Sequence, residues 1–220
     1  MNGRNLNIHP LKVGLIETNC YLIADPASRN ALCIDPGGDA GKILNYCKKN
    51  QLTIDRILLT HGHYDHIGAV NAIVDLLDVA VWIHMDDVNM AMQPKLNLSA
   101  LFSIHYQIDT YLNYLDLKQP VRFCGHEIQI LHTPGHTAGS VCFLGGSFLI
   151  SGDTLFRNSI GRTDFPGSDS ELLIRSIKHR LMPLPDSVSV YPGHGMTTTI
   201  GHERKMNPFL SEEPPMENYI

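Results

Sequence analysis

The sequence predicts an α/β fold in which β-sheets pack on each other and helices cover their outer faces. Three observations lead there. Strand-like and helical runs alternate through the first half, several strands follow, and a helix, a strand and a helix close the chain. Three strand-like runs end in a glycine turn carrying histidine (LLTHGHYDH, LHTPGHT and VYPGHG), and a fourth, FLISGD, ends in aspartate. No fixed-period repeat and no low-complexity linker interrupts this order, so residues 1–220 are expected to form one domain.

Taken in order, Leu6–Val13, Cys20–Ala24 and Ala31–Ile34 read as strands, each closed by a turn signal. Asp39–Asn50 reads as a helix with Ile43, Leu44 and Cys47 on one face. Arg56–Thr60 is a short apolar strand, followed by a helical run over Ile67–Asp78 and a strand over Val79–His84. Residues 93–118 carry Phe102, Tyr106, Tyr111 and Tyr114 with weak periodicity and are expected to form a partly helical excursion over one edge. Glu127–Leu131, Val141–Leu144 and Phe148–Ile150 read as strands. Asp169–Leu181 reads as a helix capped by Ser168 or Asp169. Val188–Tyr191 is the last strand, and a short helix follows over Ile200–Met206.

Composition narrows the function. A hydrophobic fraction of 43% and a charged fraction of 18% suit a soluble globular chain. The net charge is −5 and the basic residues are scattered, which argues against nucleic acid as a partner. No stretch approaches the ~20 apolar residues of a membrane span, and the first residues lack the apolar run of a signal peptide. Five cysteines, an odd number with no C-x-x-C pair, read as reduced thiols. A cytoplasmic location is the expectation. Histidine is the unusual count, at 12. It is the commonest metal ligand among side chains.

His61-Gly62-His63-Tyr64-Asp65-His66 follows a buried strand and precedes a helix. Alternate residues of an extended segment point the same way, so His61 and His63 can reach one metal. Asp65 and His66 sit where the chain enters the helix and can aim at a second position. Gly62 lets the backbone pass close by. His136, Asp153 and His194 also follow apolar strands. Each alone would be an ordinary turn or cap residue. Together with the first cluster they make seven nitrogen and oxygen donors at strand ends, enough for two divalent ions. Imidazole and carboxylate without thiolate fit zinc first, with iron and manganese also compatible. His9, His84, His105, His126, His132, His179 and His202 lie outside these motifs and read as packing or surface residues.

The H-x-H-x-D-H motif, with PGHT, SGDTLF and PGHG after it, resembles the metallo-β-lactamase superfamily over most of the chain, and within it the glyoxalase II-like hydroxyacylglutathione hydrolases. The resemblance implies a four-layer αβ/βα sandwich of two mixed sheets with helices on the outer faces. It implies that His61, His63 and His136 hold one metal, that Asp65, His66 and His194 hold the second, and that Asp153 bridges them. It departs from zinc β-lactamases that use a cysteine ligand, since Asp153 stands at that strand end. It departs from diiron flavoprotein oxidases, which have glutamate where His63 stands.

The implied chemistry is hydrolysis. Divalent ions bring the pKa of water from ~15.7 to about 7, making hydroxide available at neutral pH. That hydroxide, held between the ions and oriented by Asp65, would attack the carbonyl of a small anionic thioester. Arg162 stands where the family has a lysine and could grip the substrate carboxylate through its planar fork. Met196 and Asp164 replace two family tyrosines, and the sequence runs only 26 residues past His194, so glutathione is expected to be held loosely. One rival is a persulfide dioxygenase with a single iron on His61, His136 and Asp153. A lactonase or phosphodiesterase would share the same ligands, and a non-catalytic metal-binding module is the blandest alternative. The sequence leaves oligomeric state open.

Overall fold

The computed structural model describes residues 5–211. Residues 1–4 and 212–220, the latter part of the segment after His194, lie outside the described residues. In the first half, β1 (Asn7–Val13), β2 (Thr18–Ala24), β3 (Asn30–Ile34), α1 (Ala40–Asn50), β4 (Thr53–Leu58), α2 (Tyr64–Ile67), α3 (Val70–Leu77) and β5 (Ala80–Ile83) follow in order. After these come α4 (Val88–Ala91), a 3-10 turn at Ser99–Phe102 and β6 (Leu112–Tyr114). The second half holds β7 (Val121–Phe123), β8 (His126–His132), β9 (Val141–Gly145), β10 (Phe148–Gly152) and the short pair β11 (Leu155–Phe156) and β12 (Ser159–Ile160). It closes with α5 (Ser170–Ser176), a π-helical turn at Ile177–Leu181, β13 (Ser189–Pro192), β14 (Thr198–Thr199) and α6 (Ile200–Met206).

Two mixed six-stranded sheets result, β1-β2-β3-β4-β5-β6 and β14-β13-β10-β9-β8-β7. In the first, β1, β2 and β3 pair antiparallel, whereas β3 to β6 run parallel. In the second, only β10 and β13 are parallel neighbours. Alternate side chains of a strand face opposite ways, and that alternation builds three core layers. Along β2, Cys20, Leu22 and Ala24 face α1 and α3, meeting Ile43, Cys47, Val70 and Ile73. Tyr21 and Ile23 face the other sheet, packing with Leu32, Ile34, Ile128, Val141, Phe143 and Ile150. Beyond the second sheet, Cys142, Leu149 and Val190 meet Leu173, Ile177, Leu181 and Ile200. The expected αβ/βα sandwich is the observed architecture. It explains why so many strands read as continuous apolar runs: both faces are buried.

Several elements differ from the sequence expectation. The helix expected over Ile67–Asp78 runs from Val70 to Leu77, and a separate short helix, α2, precedes it; the two are divided where Ala69 donates its N–H to Pro36 O rather than back along a helix. The excursion at 93–118 contains the 3-10 turn and then supplies β6, which pairs parallel to β5 at the sheet edge. The strands β6, β7, β11, β12 and β14 were not expected. Each has two or three residues, too few to display a period of two. Asp169 is the cap of α5, its carboxylate accepting from Leu172 N at 2.9 Å. Among the described residues no helix is long and apolar enough to cross a membrane.

Phe143 is fully buried between the sheets. Phe143→Ala removes a large side chain from the layer that joins the two halves, and is expected to cost about 3–5 kcal/mol. Urea unfolding monitored by far-ultraviolet circular dichroism would read the loss. A change below about 1 kcal/mol would mean that the sheets can close over the cavity.

Candidate metal centre

All seven expected ligands meet on the rim where strands of both sheets end. His61 and His63 lie in the loop after β4, and His63 is the N-cap residue of α2. Asp65 and His66 lie in the first turn of that helix. His136 follows β8, Asp153 follows β10, and His194 follows β13. The donors of His61, His63 and His136 converge, as do those of Asp65, His66 and His194. His61, His66 and Asp153 form a third grouping between them. Asp153 Oδ1 lies 3.3 Å from His66 Nε2, while Oδ2 lies 3.7 Å from both His136 Nε2 and His194 Nε2.

These donors fit a cation better than they fit one another. His61 Nε2, His66 Nε2 and Asp153 Oδ1 are buried with no hydrogen-bond partner. The other such atom among the described residues is Trp82 Nε1, on β5. His63 Nδ1 and His136 Nε2 face each other at 3.0 Å. Burial of an unpaired polar atom costs free energy, and here such atoms gather at one point. Burial holds the His63 imidazole down at a pKa of about 3. It also drives His61 well below the ordinary histidine value, with the neighbouring imidazoles adding to the effect. Both rings are therefore neutral, the state a metal requires. His66 goes the other way: burial opposes its charge, but Asp65, Asp153 and Asp35 around it outweigh burial and raise it well above the ordinary value. Burial pushes Asp65 and Asp153 up, and His66 more than offsets this, leaving both carboxyls below their usual range.

The ligands are held from behind by contacts the sequence reading did not foresee. Asp35, buried at the end of β3, accepts from His66 Nδ1 at 2.9 Å and from the Thr60 backbone N–H and hydroxyl at 2.8 and 2.6 Å. With its hydroxyl proton given to Asp35, Thr60 can accept from His61 Nδ1 at 3.0 Å. His136 Nδ1 donates to the Arg162 carbonyl at 2.7 Å. Such acceptors fix the tautomer that leaves the opposite nitrogen free for metal. The signal for Asp35 was available, because CIDPGG is another apolar strand that runs into an aspartate beside a glycine-containing turn.

Asp87 ties two ligand loops together. Its buried carboxylate accepts from Gly62 N, Thr137 Oγ1 and Gly139 N at 2.7–2.9 Å. Burial raises its pKa, against the pull of these donors. Nothing in the sequence near MDDV announces this role. On the far side, Asn19 Nδ2 donates to the carbonyls of Pro192 and Gly195, and Tyr21 OH to Pro192 O, fixing the His194 loop to β2. Thr18 Oγ1 donates to Asp65 Oδ2 at 3.0 Å. Gly193 must be glycine for space, since a Cβ there would sit 2.2 Å from Asp153 Oδ1.

Arg162 lines the cleft over these residues. Its guanidinium is held by Asp164 in a bidentate pair at 2.9 and 2.7 Å and lies over the Phe165 ring. His84, Asp86 and His132 also approach one another. The two rings there stack at 4.5 Å with an interplanar angle of 15°, so their in-plane lone pairs run side by side instead of converging.

Asp35→Asn keeps the size of the side chain but replaces the acceptor facing His66 Nδ1 with an amide. Metal affinity is expected to fall about 10–100-fold with circular dichroism unchanged. Competition with a chromophoric chelator would measure it, and unaltered affinity would show that His66 is positioned by other contacts.

Residues 13–194 match the metallo-beta-lactamase superfamily. The hydroxyacylglutathione hydrolase GloC of Haemophilus influenzae is 36% identical over 94% of this chain and 100% of its own length. The crystal structure of BLEG-1, a B3 metallo-beta-lactamase, superposes with a TM-score of 0.89 at 38% identity, covering 93% of this chain and 100% of that one. TTHA1623, solved in a di-iron-bound form, gives 0.81 at 36% identity over 92% of this chain and 100% of its own. The match over the whole rim, from β1 to His194, establishes that the chain belongs to the metallo-beta-lactamase superfamily.

Proposed function

We propose that the protein is a dinuclear metal-dependent hydrolase that cleaves a thioester of the hydroxyacylglutathione type. The observation that carries the metal part is the convergence of three buried, unpartnered donor atoms, His61 Nε2, His66 Nε2 and Asp153 Oδ1. His61, His63 and His136 would hold one divalent ion and Asp65, His66 and His194 the other, with Asp153 shared. Zinc suits the donors best, and iron and manganese suit them too. A relative solved with two irons supports two occupied positions. The thioester rests on the Haemophilus relative named for that reaction.

When bound, the ions lower the pKa of water to about 7 and supply hydroxide at neutral pH. The chain's own groups do the rest. Asp65, within hydrogen-bond reach of Thr18 Oγ1 and His194 Nε2, is aimed into the cleft and can orient the attacking water. Water oxygen joins the acyl carbon, the carbon–sulfur bond breaks, and the thiol leaves with a proton. Arg162 at the cleft wall is placed to meet a carboxylate on the substrate, exchanging Asp164 for it. A mononuclear iron on His61, His136 and Asp153 would leave Asp65, His66 and His194 converging without purpose. Five free cysteines suit a reducing, cytoplasmic setting.

Metal analysis of the loaded protein is expected to give close to two ions per chain, and Asp153→Ala to lose at least one. Thioester hydrolysis should vanish on chelation and return with zinc. A panel of thioester, lactone, β-lactam and phosphodiester substrates separates the reactions that this ligand set could serve. One ion per chain with oxygen uptake on a persulfide, and no thioester cleavage, would replace the hydrolase with the dioxygenase.

Arg162→Ala tests the carboxylate contact. The side chain is largely exposed and already paired, so the gain it gives a substrate is modest. KM for an anionic thioester should rise about tenfold, with kcat less affected and a neutral thioester unchanged. Arg162→Lys should recover only part. Equal losses on both substrates would assign Arg162 to loop structure, through its pairing with Asp164.

A further inference from the structure

The cleft over the metal rim has a second wall that the proposed reaction does not use. Ile16, in the turn between β1 and β2, and Leu98, Leu101 and Phe102, in the turn after α4, line the same cleft as His63, Asp65 and His194. Leu101 is 72% exposed, Ile16 46% and Phe102 45%. Apolar side chains held in water side by side mark a binding surface. The turn that carries Leu98, Leu101 and Phe102 is also held firmly. Asn97, fully buried, donates through Nδ2 to Ala91 O and Tyr106 O and accepts through Oδ1 from Ser99 N. Its own carbonyl accepts from Tyr64 N, next to Asp65. The apolar turn is thus fixed directly to the helix that carries two ligands.

The cleft, about 380 Å³, continues past Ile16 and Phe102 into a hollow of about 290 Å³. Gly14, Gly37, Gly38 and Gly68 line that hollow, so backbone alone forms much of its surface. Ile16, Tyr64, Asp65 and Phe102 border both spaces. Apart from histidine, the basic side chain lining either space is Arg162, already gripped by Asp164. A short hydroxyacyl group at the metals would leave the apolar wall in water. A protein seated on that wall would close the cleft to any substrate.

We infer that the substrate carries an unbranched apolar acyl arm that runs from the carbonyl at the metal rim along Ile16, Leu98, Leu101 and Phe102 toward the glycine-lined hollow. The inference rests on the thioesterase reading and names its substrate class: acyl thioesters of medium chain length, with any anionic group in the thiol half.

S-Acetyl-, S-butanoyl-, S-hexanoyl- and S-octanoylglutathione share one anionic half and differ only in the arm. With zinc-loaded protein, kcat/KM is expected to rise about two- to fourfold per methylene until the groove is filled. Phe102→Ser and Leu101→Ser should each flatten that slope, with metal content and circular dichroism unchanged. A flat or falling series in the wild type overturns the inference while leaving the thioesterase in place. Calorimetry with octanoate and acetate tests the groove without catalysis. Octanoate is expected to bind at least about tenfold more tightly, a gain well within six buried methylenes. Equal affinities overturn the inference. Tighter octanoate binding that Phe102→Ser abolishes, in protein that cleaves no thioester, would uphold the groove and remove the thioesterase reading. A flat series together with co-sedimentation on phosphatidylcholine vesicles would overturn it by assigning the apolar wall to a lipid surface.

Discussion

Asp35, Asp65 and Asp153 crowd around one imidazole, His66, and among the described residues the groups within ion-pair distance of them are all histidines. Carboxylates taken out of water need a compensating charge or a set of donors. Asp35 satisfies itself with Thr60 and His66. Asp65 has Thr18 and His194, while Asp153 keeps one oxygen bare. The rest of the site follows from this imbalance. His61 and His63 on the other side are held neutral by burial and cannot supply the charge, so a cation from outside suits the rim. Asn19, Tyr21 and Asp87 hold the loops close enough for the carboxylates and imidazoles to share it.

The sandwich was legible because both sheets are covered on both faces. Continuous apolar runs such as CYLIA and FLIS can be placed as strands without knowing their partners. The ligands were legible for a related reason: four ends of such runs carried the same type of polar turn. The unseen parts depend on contacts made across the sequence. β6 and β14 are short edge strands whose pairing comes from a neighbour, not from their own pattern. The break between α2 and α3 comes from Pro36 drawing the Ala69 N–H away. Asp87 is one of two consecutive aspartates after β5, and its partners lie on two loops remote in sequence. Asp35 belonged to the same strand-end pattern as Asp153, but its role as the acceptor behind His66 needed the fold.

Arg162 makes two separate sets of contacts that a sequence reading would merge into one. Its guanidinium faces the cleft mouth with Asp164 and Phe165, whereas its backbone carbonyl fixes the tautomer of His136. Substitution of the side chain leaves the carbonyl in place. Position 162 can therefore vary in charge without disturbing the contact to His136; under the proposed function, that would let the loop adjust substrate preference separately from the metal rim.

The rim also lies across the seam of the molecule. His61, His63, Asp65 and His66 come from the first sheet's side, and His136, Asp153 and His194 from the second. The apolar layer around Phe143 joins the halves, as do, at this end, the loops that meet there. Ions shared between the two ligand sets would act as a reversible cross-link closing a long loop, the kind of constraint that restricts an unfolded chain most. The lifetime of the folded chain against proteolysis would then track metal supply, and a starved cell would clear the protein and retain only the copies that had found their ions.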